Sequence, residues 1–337
     1  MTTICLIPGD GVGHEVIPAA AEVLKTLRPD FEYRHADAGF ECFERIGTPL
    51  PEETLECIAQ SDATLFGATS TPSTKVEGYR STVQQLRKRF DLYANLRPTQ
   101  SLPGAFSRQD VNLLIVRENT EDLYSGRERR EDNGDTAISE RVITRKASER
   151  IFRVAFEQAR LRQQQRHLPG RVTIVHKANI LKETDGLFRE IGLAIAAQFP
   201  DIACSELLVD AMAMRLVKDP ESFDVIVTTN LFGDILSDEA AGLVGGLGVA
   251  PSGNIGAETA IFEPVHGSAP DIAGKGVANP MGAILSAAMM LDYLRLNGDA
   301  HHVRNAVYSA IRRGVRTRDI GGRANTQEVT NTIIGEL

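Results

Sequence analysis

The chain has 337 residues and a formal net charge of −8, with 42% hydrophobic and 24% charged residues. At roughly 150 residues per domain this length suggests about two domains of ordinary globular composition. The acidic balance argues against broad binding to nucleic acid, and no apolar run approaches the ~20 residues of a membrane-spanning helix.

Strand and helix patterns alternate along the chain, which predicts an α/β protein with much parallel sheet. Buried strands are predicted at 3–7, 63–68, 111–116, 172–175 and 223–228. Helices are predicted at 14–27, 81–89, 148–160, 184–198, 234–244, 281–296 and 302–313.

The polar stretch 127–135 ends near Asn133-Gly134, a strong turn signal. It predicts a solvated hairpin tip whose flanks, 123–126 and 136–144, form the two strands of an arm.

The N-terminal residues do not resemble a signal peptide, and the four cysteines include no CxxC pair. We therefore expect a reducing, cytoplasmic location. Cys5 and Cys204 lie in apolar strand-like segments and are expected to be buried free thiols.

A glycine-rich turn follows the first strand, with Gly9, Gly11 and Gly13 at alternate positions. The spacing is not the GxGxxG of a dinucleotide-binding fingerprint. Two interpretations stay open, a tight turn or a cradle for a phosphate.

Asp234 and Asp238 are four residues apart and therefore share one face of a predicted helix. Carboxylate oxygens suit hard cations such as Mg²⁺ or Mn²⁺, whereas the alternative is a solvated face that stabilises the helix dipole. The strand that precedes this helix favours the metal site, because open α/β sheets build their sites at the carboxyl ends of strands.

Four basic residues are further candidates. Lys177 follows a strand and could act as a base, although a surface lysine is the alternative. Arg117 ends an apolar strand, where a guanidinium is costly without an anionic partner. With Arg87 and Arg97 it suggests a substrate with several carboxylates, and intrachain salt bridges are the competing interpretation.

The segment 263–280 is long, loop-like and rich in small residues, so its backbone could wrap a ligand. Asp271 within it could accept hydrogen bonds from the two hydroxyls of a ribose and would repel a 2′-phosphate.

Together these segments closely resemble the metal-dependent β-decarboxylating dehydrogenases, the isocitrate/isopropylmalate dehydrogenase family, and within it the homoisocitrate and NAD-isocitrate branch. The resemblance runs from 7–15 to 319–322 and is most specific over 230–238, 245–256 and 263–280.

The resemblance implies a two-domain isopropylmalate dehydrogenase-like α/β fold with a dinucleotide site that is not of the Rossmann type. The large cofactor-binding domain would be discontinuous, residues 1–98 plus 249–337. Residues 99–248 would form the smaller substrate, metal and dimerisation domain, with an arm at about 123–144. Homodimers would share active sites across their interface, and a tetramer is left open.

The resemblance also implies roles for individual residues. Tyr124 would be the proton donor and Lys177 the base. Asp234 and Asp238 would bind the metal from one subunit and Asp210 from the other. The remaining expected contacts are Arg87, Arg97 and Arg117 for the substrate carboxylates, Asn179 near the nicotinamide, and Glu263, His266, Gly267, Ser268, Ala269, Asp271, Ile272 and Asn279 for the rest of the cofactor.

The implied reaction is an NAD-dependent oxidative decarboxylation with Mg²⁺ or Mn²⁺. Asp271-Ile272 matches the NAD-using pattern, because NADP-using relatives place Lys-Tyr there. Lys177 would accept the proton of the substrate hydroxyl, and Tyr124 would protonate the carbon that loses CO₂.

Substrate choice is expected to depend on the segment before Arg87. The run 74–78 resembles homoisocitrate enzymes, Ser81 aligns with a serine of isocitrate enzymes, and the polar Gln84 disfavours 3-isopropylmalate. We expect isocitrate, giving 2-oxoglutarate, or homoisocitrate, giving 2-oxoadipate, or both.

The alternatives are a 3-isopropylmalate or D-malate/tartrate-type enzyme and, in other classes, a regulatory subunit of a heteromeric isocitrate dehydrogenase or a binding protein on the same fold. Such regulatory subunits tend to lose the catalytic tyrosine, lysine or metal aspartates, and this chain keeps them.

Overall fold

The chain forms two compact units in the computed structural model, which describes residues 1–74 and 76–337. The first unit comprises Met1–Leu92, Ser101–Gln109 and Ala241–Leu337, and the second comprises Tyr93–Gln100 and Asp110–Ala240. These boundaries lie close to the expected domain limits at 98/99 and 248/249, although 101–109 groups with the first unit. The assignment of domain roles stays a prediction.

The strands and helices alternate as the sequence patterns indicate. In chain order the strands are β1 (Thr3–Ile7), β2 (Glu32–His35), β3 (Ala63–Phe66), β4 (Ala94–Gln100), β5 (Asn112–Glu118), β6 (Glu128–Glu131), β7 (Thr136–Ser139), β8 (Arg171–His176), β9 (Ala203–Leu208), β10 (Val225–Thr228), β11 (Pro251–Ile255) and β12 (Ala260–Pro264). The helices are α1 (Gly13–Leu27), α2 (Phe40–Ile46), α3 (Glu52–Ala59), α4 (Thr82–Arg89), α5 (Arg145–Arg166), α6 (Thr184–Ala196), α7 (Val209–Lys218), α8 (Asn230–Val244), α9 (Met281–Tyr293), α10 (Asn297–Arg312) and α11 (Thr326–Ile334).

The first unit orders its strands β2-β1-β3-β12-β11. All neighbouring strands run parallel except the antiparallel pair β11 and β12. Helix α9 is buried over almost its whole length because apolar and small residues occur on every side of it. It packs with α1 and α10 into the core of this unit.

The second unit orders its strands β4-β5-β10-β8-β9, and only β4 and β5 are antiparallel. Since β5, β10, β8 and β9 are parallel, their carboxyl ends meet at one edge of the sheet. The segments that follow these ends carry polar residues at this carboxyl edge. The predicted α/β class is thus confirmed.

The predicted arm differs from the structure in both flanks. The strand expected at 136–144 ends at Ser139, and β6 lies inside the predicted tip 127–135. The expected strand at 123–126 is wrong, because Leu123–Ser125 forms a 3₁₀ turn and Gly126 adopts φ +71°. The hairpin strands are β6 and β7, both largely exposed. Apolar Leu123 and Tyr124 suggested a strand, but the left-handed glycine ends any extended run there.

Two further sequence expectations need correction. Helix α8 begins at Asn230 rather than at 234, since the Gly233 N–H already donates to the Thr229 carbonyl at 2.9 Å. Cys204 is exposed rather than buried, because β9 is the edge strand of its sheet. Alternation of apolar residues could not distinguish an edge strand from a central one.

The glycine-rich turn after β1 supports the tight-turn interpretation. Gly9 and Gly11 adopt φ +75° and +58°. A Cβ on Gly9 would lie 2.2 Å from the Ala68 carbonyl oxygen, and one on Gly11 would lie 2.2 Å from the Ser268 carbonyl oxygen. Close backbone packing therefore requires glycine at both positions.

Asp10 within this turn is a buried anchor for two other segments. Its carboxylate accepts hydrogen bonds from the backbone N–H groups of Phe40, Glu41 and Ser70 at 2.7–2.9 Å. A charged acceptor satisfies all three donors away from water, which neutral side chains do less well.

Over residues 1–74 and 76–337, no helix has both the length and the apolar character needed to cross a bilayer.

We predict that Asp10→Asn lowers the free energy of unfolding by about 2–3 kcal/mol, because an amide oxygen replaces a carboxylate that receives three N–H groups. Urea unfolding measures the change. The matched control is Asp30→Asn in an exposed pair with Arg28, which should cost less than about 0.5 kcal/mol. Equal effects of the two substitutions would contradict the assigned role of Asp10.

Candidate active site

Two arginines and two aspartates meet at the carboxyl edge of the second unit, and we call Arg97, Arg117, Tyr124, Asp234 and Asp238 the arginine–aspartate cluster. Arg97 lies 3.0 Å from Asp238 and 3.4 Å from Asp234. The Arg117 guanidinium pairs with Asp234. The Tyr124 hydroxyl donates to the other Asp234 oxygen at 2.5 Å. The sequence predicted each of these five residues as part of the site.

Local folding fixes the position of Arg117 in three ways. It lies on β5 in register with Thr228 of β10, and α8 starts just after that strand. Its Nε and Nη2 donate to the Asn230 side-chain oxygen at 3.0 and 2.7 Å. A Cβ on Gly233 would lie 2.6 Å from Arg117 Cγ, so the helix can approach the arginine stem only with glycine there.

Asp234 is the anion that compensates the buried charge of Arg117. The side chain of Arg117 is only 1% exposed, and its charge is balanced inside the chain by Asp234. Intrachain salt bridges therefore exist, as the competing interpretation held. They leave the aspartates 34% and 48% exposed, so carboxylate oxygens remain open to solvent and to a ligand.

The pKa of Asp238 differs from that of an ordinary surface carboxylate. Burial raises the pKa of Asp238, and the negative charge of Asp234 adds to the rise. Arg97 and Arg117 act in the opposite direction. A divalent cation beside both carboxylates would relieve this repulsion, so the donor set fits a hard metal ion.

Lys177 and Asp210 form a second group at the same edge. Lys177 follows β8 and Asp210 lies in the first turn of α7, directly after β9. The Lys177 ammonium pairs with the Asp210 carboxylate and lowers its pKa. Asp210 lies apart from Asp234 and Asp238, and within the described part of the chain no three His, Cys, Asp or Glu side chains converge on a metal position.

A buried network that the sequence did not reveal lies behind these groups. Arg141 pairs with Asp122 at 2.7 Å and with Asp185 at 3.0 Å, and both carboxylates are fully buried. Asp185 accepts the backbone N–H of Lys177 at 2.5 Å, and Asp122 accepts that of Leu231 at 3.0 Å. One guanidinium thus ties the Lys177 segment to the first turn of α8.

The other predicted substrate contacts differ in exposure. In the first unit, Arg87 on α4 is buried and lies 4.0 Å from Glu263. Ser81 immediately precedes α4, and Gln84 on that helix is exposed. Asn179 in the second unit is exposed. Lys75, part of the 74–78 run, lies outside the described residues.

The loop after β12 contains an unusual histidine. The Nε2 atom of His266 is buried and has no hydrogen-bond partner among residues 1–74 and 76–337, whereas Nδ1 lies 3.0 Å from the Gly267 carbonyl. Burial lowers the pKa of His266. An unpaired buried ring nitrogen fits a position that a bound ligand would complete.

The remaining predicted cofactor residues flank this histidine. The Ser268 hydroxyl accepts from Ser70 at 2.8 Å, and Ala269 holds a strained φ of +40°. Asp271 is exposed, and Ile272 packs partly against the core. The Asn279 amide donates to Asp319 at 2.9 Å and accepts from the Met281 N–H, so this side chain already serves the protein framework.

Sequence reasoning missed the residues that hold the cluster from behind. Asn230 is a polar residue just after a predicted strand, and this position could have indicated a role in the site. Arg141 stood in a stretch interpreted as a solvated arm, and its two carboxylate partners are 19 and 44 positions away. No local pattern indicates such a pairing.

Glu121 in the turn after β5 provides a pH-sensitive test of this framework. Its carboxylate accepts from the Thr144 N–H and hydroxyl, both at 2.8 Å. Burial raises the pKa of Glu121 from 4.5 to about 7. Because the folded chain holds this proton more tightly, the associated stability is present below pH 4.5 and is lost as the pH rises through 7.

We predict that Glu121→Gln, which keeps the shape without the charge, gains stability relative to the parent between pH 5 and pH 8. The expected gain is about 2–3 kcal/mol, measured by urea unfolding at both pH values. Glu157→Gln, on an exposed glutamate of α5, is the control and should show no such difference. A pH-independent effect of Glu121→Gln would contradict the raised pKa.

Comparison with known proteins places this geometry in a family. The model of the isocitrate/isopropylmalate dehydrogenase family matches residues 3–333. An isocitrate/homoisocitrate dehydrogenase of Thermus thermophilus is 55% identical over 99% of this chain and 98% of the relative. A 3-isopropylmalate dehydrogenase of Methanothermobacter thermautotrophicus is 49% identical over 99% of this chain and 98% of the relative.

The solved structures agree. The crystal structure of isocitrate dehydrogenase from Methylococcus capsulatus superposes with a TM-score of 0.94 at 45% identity, covering 100% of this chain and 99% of that one. The family resemblance inferred from the motifs is confirmed. The chain belongs to the isocitrate/isopropylmalate dehydrogenase family.

Proposed function

We propose that this protein catalyses the NAD-dependent oxidative decarboxylation of a tricarboxylic 2-hydroxy acid, isocitrate or homoisocitrate or both, with Mg²⁺ or Mn²⁺. Its family is typically dependent on NAD(P) and a divalent metal, and the names of its relatives support a decarboxylating dehydrogenase. The observation that carries the proposal is the arginine–aspartate cluster, in which Tyr124 and two arginines surround solvent-accessible carboxylates.

The substrate would be bound through its carboxylates. Arg97 and Arg117 present guanidinium groups beside Asp234, and Arg87 adds a buried cation in the first unit. Guanidinium groups bind carboxylates with paired hydrogen bonds, which favours a substrate with more than one carboxylate. We assign Ser81 and the exposed Gln84 to the part of the substrate that distinguishes one acid from another.

Asp234 and Asp238 would hold the metal, with Asp210 supplied by a second copy of the chain. When bound, the cation would polarise the substrate hydroxyl and carbonyl oxygens, and the dinucleotide would accept the hydride. In the single chain, Asp210 is instead occupied by Lys177. Asp210 is 65% exposed and is therefore accessible to another subunit.

Lys177 and Tyr124 would move the protons. The buried Asp185 carboxylate accepts the backbone N–H of Lys177 and so fixes the backbone at this position. This contact does not use the Lys177 side chain. In its neutral amine form, Lys177 would act as a base and accept the proton of the substrate hydroxyl. Tyr124 would donate its hydroxyl proton to the carbon that loses CO₂, and its bond to Asp234 orients that hydroxyl.

The cofactor assignment rests on the loop after β12. The unpaired Nε2 of His266 would receive or donate one hydrogen bond, and the exposed Asp271 would accept from ribose hydroxyls. A carboxylate at this position would repel a 2′-phosphate, so we assign NAD rather than NADP. Asn179 is assigned to the nicotinamide end.

The surface of the second unit supports the proposal of a homodimer. Met214 and Val217 on α7 and Ile235 on α8 are more than half exposed although they are large and apolar. Such side chains are normally covered in a working assembly. The exposed hairpin of β6 and β7 offers a second contact with another copy.

The name of one relative supports 3-isopropylmalate as an alternative substrate. The Methanothermobacter relative named a 3-isopropylmalate dehydrogenase is 49% identical to this chain. We rank that substrate second because the exposed amide of Gln84 offers no apolar surface to an isopropyl group.

We predict that Lys177→Ala and Tyr124→Phe each lower kcat by about 10²–10⁴-fold, since each removes a group that transfers a proton. Steady-state kinetics measures the loss, and circular dichroism checks that the fold is retained. Lys182→Ala, on an exposed lysine of the same segment, and Tyr33→Phe, in the first unit, should retain parental kcat. Full activity in either test variant would remove the role assigned to that residue.

The substrate assignment is tested by measuring kcat/KM for isocitrate, homoisocitrate, 3-isopropylmalate and D-malate with Mg²⁺, each with NAD⁺ and with NADP⁺. We expect at least about tenfold preference for a tricarboxylate, which corresponds to one well-placed polar contact. NAD⁺ should exceed NADP⁺, and a chelator should abolish turnover until Mg²⁺ or Mn²⁺ is restored.

Each other outcome of this assay has a defined meaning. Fastest turnover of 3-isopropylmalate would overturn the interpretation of Gln84. Preference for NADP⁺ would overturn that of Asp271. No turnover with any of the four acids would favour the regulatory-subunit interpretation.

A further inference from the structure

Two cysteines far apart in sequence touch in the first unit. The Sγ atoms of Cys5 on β1 and Cys57 on α3 lie 3.1 Å apart. Cys5 is fully buried, and Cys57 is partly exposed. A disulfide bond is about 2.05 Å long, so its formation would require the two sulfurs to approach by about 1 Å.

The surroundings of the pair permit that approach. Strand β1 is held on both sides by β2 and β3, so Cys5 is fixed. Helix α3 fully buries Thr54 and Ile58, packs Leu55 and Cys57 partly against the core, and exposes its other residues. A small shift of α3 toward the sheet would bring the sulfurs to bonding distance.

Charge and burial give the two sulfurs different roles. Burial raises the pKa of Cys5, which keeps it a protonated thiol. The Arg34 guanidinium lies close enough to oppose that rise, and it is partly exposed on the neighbouring strand β2. Cys57 reaches the surface whereas Cys5 is fully buried, so an oxidant from solvent meets the Cys57 sulfur first. Cys57 is therefore the sulfur that reacts first.

We propose that Cys5 and Cys57 form a site of reversible covalent modification, an intrachain disulfide produced by hydrogen peroxide or another small peroxide. The Cys57 thiol first gives its proton to solvent, and the thiolate attacks one peroxide oxygen. The O–O bond breaks, Cys57 becomes a sulfenic acid, and the departing hydroxide takes up a proton as water. The Cys5 sulfur then attacks Cys57 Sγ, the S–O bond breaks, and the departing hydroxide takes the Cys5 proton as water. Two thiols are oxidised and one peroxide is reduced to two waters.

The bond would link residues 52 positions apart and would tie α3 to the sheet. Closing a long loop removes conformational freedom from the unfolded chain, so the oxidised protein should be the more stable form. The proposal concerns residues outside the arginine–aspartate cluster and does not depend on the proposed activity.

The experiment uses the full chain carrying Cys204→Ser, which removes the exposed thiol that could join two molecules. The protein is reduced, freed of reductant, treated with hydrogen peroxide and alkylated under denaturing conditions. We expect Cys5 and Cys57 to become protected together, a peptide pair joined through them, and recovery of both thiols with dithiothreitol. The Tm should rise by about 3 °C or more on oxidation.

A Cys57→Ser variant in the same background is the matched control, and it should leave Cys5 alkylatable and Tm unchanged by peroxide. A stable sulfenic or sulfinic acid on Cys57 with Cys5 still free would overturn the proposal. So would a disulfide that uses Cys42 instead. Peptide mapping of the parent decides between these outcomes even where the control variant folds poorly.

Discussion

The second unit depends on how the buried charge of Arg117 is compensated. Arg117 is placed at the end of an apolar strand, where its charge is removed from water and must be balanced within hydrogen-bond distance. Asp234 supplies the charge, Asn230 accepts from Nε and Nη2, and Gly233 lets the helix come close enough for both. The start of α8 and the orientation of its carboxylates follow from this requirement.

A second charge balance supports the first from behind. Asp122 and Asp185 are fully buried, and Arg141 serves both of them. Because these carboxylates also accept backbone N–H groups of Leu231 and Lys177, a single cation links the Lys177 segment to the first turn of α8. Fixed placement of reacting groups contributes to catalysis, so this network suits the roles proposed for Lys177 and Asp234.

The sequence allowed prediction of what depends on local pattern and not of what depends on distant pairing. The strands before Lys177 and Asn230 and the spacing of Asp234 and Asp238 were readable, because each follows from a short apolar run and its polar end. The pairing of Arg141 with its two carboxylates could not be predicted, because residues that form a buried salt bridge show no regular spacing in the sequence. The strand predicted at 123–126 was wrong because local composition suggested a strand where Gly126 requires a turn.

The anchoring role of Asp10 has a consequence for how substrate preference can change. Asp10 holds the Ser70 backbone, and the Tyr79 hydroxyl donates to the Ser70 carbonyl at 2.7 Å while its ring packs against Phe40 and Phe43. Ser70 and Tyr79 are thereby linked to each other, and Ser70 is linked to the Asp10 turn. On the proposal that Ser81 and Gln84 select the acid, exchanges at these two positions would change the contacts to substrate while Ser70 and Tyr79 keep their places on the Asp10 turn.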